Sequence, residues 1–223
     1  MKNSFLLKAI IVTNILLVVI IYFKYCVPAF PLGLQALECL VSLVVLAATL
    51  LFLLRIKPKW LTNIQNSNIR LGLCFGLLWS IEIGTNNIVR PGLPLRDIVD
   101  NIFWASIALL ILMTAIYDAR KTGKILQGIT SGFWSGLSSG AVACMTALIL
   151  IVFGMNLILL DPLNIKEWTD VKANTNLPTM AVYFAFQTLA GAIMHLVILG
   201  AMMGIILGFI GGIIGKTLSI LIK

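Results

Sequence analysis

Apolar residues in this chain come in long unbroken runs, not in the alternation of strands or the narrow stripe of a surface helix, and short polar clusters separate them. Six runs predict helices, at about 9–23, 37–54, 71–88, 102–117, 126–155 and 180–210. Such runs match or approach the ~20 residues an α-helix needs to cross a ~30 Å hydrocarbon core. The first run follows Lys2 and Lys8 as a signal peptide would, but no small-x-small site follows it and Lys24 closes it, so an uncleaved helix is expected. The fifth stays apolar as far as Leu160, which is long for one span and suggests a tilt or ends lying in the interface.

The last run continues apolar to Lys216. Residues 180–216 as one helix would be roughly 55 Å long, so the segment must tilt, bend or turn back. The expectation is an all-α bundle of six transmembrane helices in a single domain, 1–223. A turn near residues 200–204 would give seven instead.

Composition agrees with lipid as the solvent: 60% of residues are hydrophobic, 11% are charged, and the mean hydropathy is +1.06. A net charge of +8 would suit nucleic acid only if the basic residues shared one water-facing surface. Instead they cluster between the apolar runs, so the bilayer is the expected partner and nucleic acid is not. With the amino terminus inside, the inner segments hold Lys2, Lys8, Arg55, Lys57, Lys59, Arg70, Arg120, Lys121, Lys124, Lys216 and Lys223, with Asp118 as their only acid. The outer segments mix Lys24, Arg90, Arg96, Lys166 and Lys172 with Glu38, Asp97, Asp100, Asp161, Glu167 and Asp170. That asymmetry predicts a multi-pass protein of the inner (plasma) membrane with both termini cytoplasmic. Trp60 and Trp168 are placed like interfacial anchors.

Glycine is arranged in rows. Gly128, Gly132, Gly136 and Gly140 fall on one i, i+4 line of the fifth helix, and Gly200, Gly204, Gly208 and Gly212 on another line of the sixth. The third helix has a milder row in Gly72, Gly76, Ser80 and Gly84. In lipid, where there is little hydrophobic drive for apolar helices to associate, small-xxx-small rows allow close backbone approach. The rows are therefore expected to face protein, either within the bundle or toward a second copy or another membrane partner.

Chemistry is sparse. Glu82 is the only acid in the core of a span, and such residues are functional-site hypotheses by default. Asn86 shares its face, and Asn87 lies beside it. Arg90 lies two turns beyond Glu82, within reach of an anionic solute, while Asp97 and Asp100 read as amino-terminal charges of the fourth helix. His195, the only histidine, shares a face with Gln187, Thr188 and Gly191. Counted from the expected interfaces, Glu82 is near the middle and His195 lies roughly 5 to 10 Å toward the inner side, so the two meet only if helices tilt.

Four cysteines without CxxC spacing give no zinc or redox motif, though Cys26 and Cys39 flank the first outer loop and could be bridged. One histidine and scattered carboxylates suggest neither a metal nor another cofactor. "SGLSSG" with a later intramembrane His195 remotely resembles the Ser and His dyad of rhomboid proteases, which would imply an intramembrane serine hydrolase. The serine motif departs from GxSG, and no HxxxN can exist with a single histidine. The expected function is therefore a small transporter or channel-like bundle with a Glu/His polar site and no catalytic residues; the alternative is a non-catalytic membrane subunit or an accessory or immunity protein.

Overall fold

The computed structural model describes residues 2–27, 33–55 and 63–221. The basic segment 56–62, with Lys57, Lys59 and Trp60, lies outside the described residues. Those described are helical almost throughout and include no strand. Their elements are α1 (Lys2–Ile21), running into a π-helical turn (Tyr22–Cys26), then α2 (Gly33–Arg55) and α3 (Asn63–Gly84), which continues as a second π turn (Thr85–Val89). Next come α4 (Leu95–Thr122), α5 (Ile125–Phe153), the short α6 (Met155–Leu159) and α7 (Pro162–Val171). Finally α8 (Met180–Met194), a π segment (His195–Met202) and α9 (Met203–Leu221) follow one another without a break.

Among the described residues, five helical stretches are long and apolar enough to cross a membrane: Asn3–Cys26, Gly33–Arg55, Leu95–Thr122, Ile125–Phe153 and Met180–Leu221. The third sequence run is not among them, because α3 opens on polar turns and carries Asn68, Arg70 and Glu82. The last stretch is a single helix of 42 residues, with right-handed helical conformations on both sides of its π segment. It does not turn back at residues 200–204, and at 1.5 Å per residue it spans about 60 Å.

Several boundaries differ from those read off the runs. The segment "DARKTGK" is not all loop: α4 continues through Asp118, Arg120 and Lys121 and ends only at Gly123, whose φ of 69° closes the helix through a 2.7 Å bond to the Ala119 carbonyl. Apolarity marks where a helix meets lipid, and helices go on past that point. The fifth run does not extend to Leu160 as one helix, since α5 stops at Gly154. The polar segment beyond it contains α7, opened by Pro162 and by Asp161, whose carboxylate accepts the Leu163 N–H at 3.0 Å.

α5 is the axis of the bundle. Of its apolar window 72% is buried, against 44% or less for the other four stretches. Its glycines lie against the last helix at backbone distance. A Cβ added to Gly128 would stand 2.5 Å from the Gly212 Cα, one added to Gly132 would collide with the Gly204 carbonyl and stand 2.6 Å from the Gly208 Cα, and Gly136 and Gly140 meet the Gly200 and His195 carbonyls in the same way. Gly72 of α3 abuts the Ser135 backbone, Gly76 meets Val142, and Gly211 and Gly215 of α9 face α4. Gly84 departs from its row, with nothing within 4 Å, because the chain there passes into the wider π turn beside a gap between α3 and α5.

α1 is tied to the same axis by polar bonds. Asn14, fully buried, donates to the Ala141 carbonyl at 3.2 Å, while Lys24 and Tyr25 donate to the Val152 and Ile151 carbonyls at the carboxyl end of α5. These last two bonds serve carbonyls in the final turn of a helix, where intrahelical partners run out.

The glycine contacts predict opposite outcomes at two positions. Gly132→Val forces α5 off the last helix and is expected to destabilise the solubilised protein by about 1–3 kcal/mol or more, as overpacking does. Gly84→Ala should be close to neutral. Unfolding in graded denaturing detergent measures both.

Candidate functional site

At one end of the bundle the carboxyl end of α3, the first turns of α4, the short α6 and α7, and α8 enclose a partly open cavity of about 260 Å³. Glu82, Asn86 and Asn87 line it from α3 and its π turn, Arg96 from α4, Asn164 from α7, and Gln187, Thr188 and His195 from the α8 side. Ala147, Leu150, Ile158 and Phe184 form its apolar wall. A pocket with a few convergent polar groups on apolar walls is the usual form of a small-ligand site.

Asn86 organises this end. Its amide donates to Glu82 Oε1 at 2.9 Å and to Asp100 Oδ1 at 2.8 Å, so one nitrogen bridges two carboxylates from different helices. Its own Oδ1 is buried without a hydrogen-bond partner. Arg96 Nη2 donates to the Asn86 carbonyl and to Asp161 Oδ2, both at 2.8 Å. The ion pair thereby joins α4 to the cap of α7 and to the π turn of α3. Asp161 is 1% exposed, and one carboxylate serves both the arginine and the Leu163 N–H.

Glu82 and His195 both line this cavity, and the His195 ring packs on Trp79, one helical turn before Glu82 on α3. α3 and α8 each give way to a π segment at this level. Such π turns interrupt regular helices and are frequent at functional sites. His195 Nδ1 lies 2.7 Å from the Gly191 carbonyl, which can only accept, so Nδ1 carries a proton in this contact. The ring stands perpendicular to Trp79 with centroids 4.9 Å apart, and Trp104 packs on Trp79 at 5.5 Å.

Of the other residues named from sequence, Asn87 lines the cavity while donating to the Ile83 carbonyl, and Gln187 lines it while donating to Glu167, which also accepts from Tyr183. Arg90 is not in the cavity. It ends the π turn in the left-handed conformation, φ 55°, and its Nε donates to the Asn87 carbonyl. The arginine that lines it is Arg96, six residues later and across the turn. Asp97 stays exposed in the first turn of α4, but Asp100 is bonded to Asn86 and is not a free cap. Trp168 is half-buried and packs on Tyr183, with centroids 5.7 Å apart.

The serine and histidine of the protease resemblance are not joined. Ser138 donates to the Trp134 carbonyl, Ser139 has a buried oxygen without a partner, and the histidine is held by Gly191. A nucleophile needs its base within hydrogen-bond reach. Among the described residues no three His, Cys, Asp or Glu side chains gather as metal ligands.

A second polar cluster lies at the opposite end of the bundle. There Asn68 Nδ2 and Ser131 Oγ both donate to Asp118 Oδ2, at 2.9 and 2.6 Å, and all three residues are buried. Between the ends stands an apolar cluster of Phe75, Trp79, Ile107, Ile111, Ala143 and Leu199.

The two faces mirror each other in spacing. On α3 the residues Asn68, Phe75, Trp79, Glu82 and Asn86 advance by seven, four, three and four; on antiparallel α4 the residues Asp118, Ile111, Ile107, Trp104 and Asp100 retreat by the same steps. The seam thus begins with an Asn–Asp pair and ends with another. Sequence reading passed over Asp118 because it was counted with a loop; the signal lay in the helical spacing from Asp100, visible only once α4 extends to Thr122.

Compared with protein-family models, curated proteins and solved structures, the chain has no significant match.

Arg96→Gln removes the tie between α4, α7 and the π turn. It is expected to cost about 3 kcal/mol, as for a largely buried ion pair that loses one partner, and to raise amide hydrogen exchange in α7 while leaving α5 protected. Exchange measured by mass spectrometry in detergent checks this.

Proposed function

We propose that the protein is a small multi-pass transporter or channel-like conduit that moves a proton or small cation along the seam between α3 and α4. The observation that carries this reading is the convergence of Glu82, Asn86 and His195 on the open cavity, with Asp100 bonded to Asn86 behind it and Asp118 in line at the other end of the seam. Ionisable side chains inside a bilayer are costly, and they mark ion and proton paths more often than structural contacts. Charge favours a cation: three carboxylates lie on the seam, and the arginine among them is committed to Asp161. The buried, unpartnered Asn86 Oδ1 is a further oxygen available to a cation or a proton donor. The cluster around Trp79 then acts as the closed gate between an accessible end and an occluded one.

In this reading α3 is a sixth span. Its polar opening turns sit at the cytoplasmic side with Arg70, both termini are cytoplasmic, and the cavity opens outward from the inner membrane. The glycine contacts between α5 and the last helix supply the association that lipid does not drive.

The test is reconstitution. Glu82→Gln keeps the shape of the side chain and its bond to Asn86 while removing the charge. It should abolish pH-dependent cation or proton flux in proteoliposomes, with the variant still eluting as a folded species. Unchanged flux in a folded variant refutes the reading; if instead the variant fails to fold and the wild-type chain moves no solute, the non-catalytic subunit is the better account.

A further inference from the structure

Outside the seam, two cysteines are brought together. Cys26 closes the π turn at the end of α1 and Cys39 lies in the second turn of α2, and their sulfurs are 3.2 Å apart. Both thiols are free in the structure and both are buried, at 3% and 1% exposure. The other two cysteines have no such neighbour: Cys74 is exposed on α3 and Cys144 is buried on α5. A disulfide requires sulfurs ~2.0 Å apart. Closing from 3.2 Å asks for side-chain rotation and a small shift, not a change of fold.

The surroundings also favour a covalent tie here. Lys24 and Tyr25, the residues just before Cys26, are held on the last carbonyls of α5, so the α1 side of the pair is already fixed. α2 is the less buried of the first two spans, with 22% of its apolar window buried against 44% for the first. A link at Cys39 would fasten this less buried helix to the axis of the bundle through α1.

We propose that Cys26 and Cys39 form a structural disulfide on the outer face of the membrane. The reaction is thiol–disulfide exchange with an oxidising dithiol protein of the outer compartment. One cysteine thiolate attacks the partner's disulfide and forms a mixed disulfide; the second displaces the partner as a dithiol. The two cysteines lose two electrons and two protons, and the partner gains both. Because the pair is buried in the folded chain, exchange takes place before α1 and α2 close on one another.

The proposal rests on the orientation given above, since a cytoplasmic pair would stay reduced. The test blocks accessible thiols in intact cells, denatures the purified full chain without reductant, alkylates it again so that buried free thiols are also modified, and maps modified cysteines by mass spectrometry, while reporters fused at the carboxyl terminus read orientation separately. The expected result is modification of Cys74 and Cys144 alone, with Cys26 and Cys39 labelled only after reduction. In Cys39→Ser, Cys26 should become a third labelled position without reductant. Four labelled cysteines in the wild-type chain overturn the disulfide: with a cytoplasmic carboxyl terminus they overturn it alone, and with an external terminus they overturn the orientation as well.

Discussion

The bundle depends on backbone meeting backbone along α5. Lipid offers apolar helices no incentive to leave it, so a helix stays in the protein only where dispersion contacts or hydrogen bonds hold it. Glycines 128, 132, 136 and 140 let the last helix approach until carbonyls and Cα atoms touch, and Gly211 and Gly215 extend the same close packing to α4. Gly72 and Gly76 seat α3 on the opposite flank of α5. With α3 and α4 both positioned against this axis, their facing residues come into line, and the seam from Asn68 to Asn86 follows from that placement.

Polar side chains then finish what close packing begins. A buried polar group in a membrane has no water to fall back on, so each tends to find a partner in the protein. Lys24, Tyr25 and the amide nitrogen of Asn14 find theirs on carbonyls of α5, with the Asn14 oxygen left unpartnered, and Asn68 and Ser131 find theirs on Asp118. At the other end the arrangement is less complete. Asn86 spends its amide on two carboxylates and leaves its own oxygen unpartnered, beside an open cavity.

Much of this was legible in the sequence, for identifiable reasons. Long apolar runs mark membrane helices because backbone groups in lipid must bond within their own segment, and Glu82, Asn86, Asn87, Gln187 and His195 stood out as polar residues in such runs; all five line one cavity. Less visible were residues beyond the apolar limits. Hydropathy ends where lipid ends, so Asp100 and Asp118 read as a cap and a loop although α4 carries both inside the bundle. Arg96 was masked by the nearer Arg90, whose left-handed backbone turns it away from the site. The π segments at Thr85–Val89 and His195–Met202 have no sequence signature, and that Glu82 and His195 share one cavity follows from helix packing, which counting residues along single helices does not carry.

Charge movement is the most direct measure of the central claim. In proteoliposomes adsorbed to a solid-supported membrane, a jump in pH or in cation concentration should give a transient current from the wild-type chain, and neutralising Asp118 at the far end of the seam should reduce it. No current above that of empty liposomes, under every cation and pH gradient tried, would contradict the account.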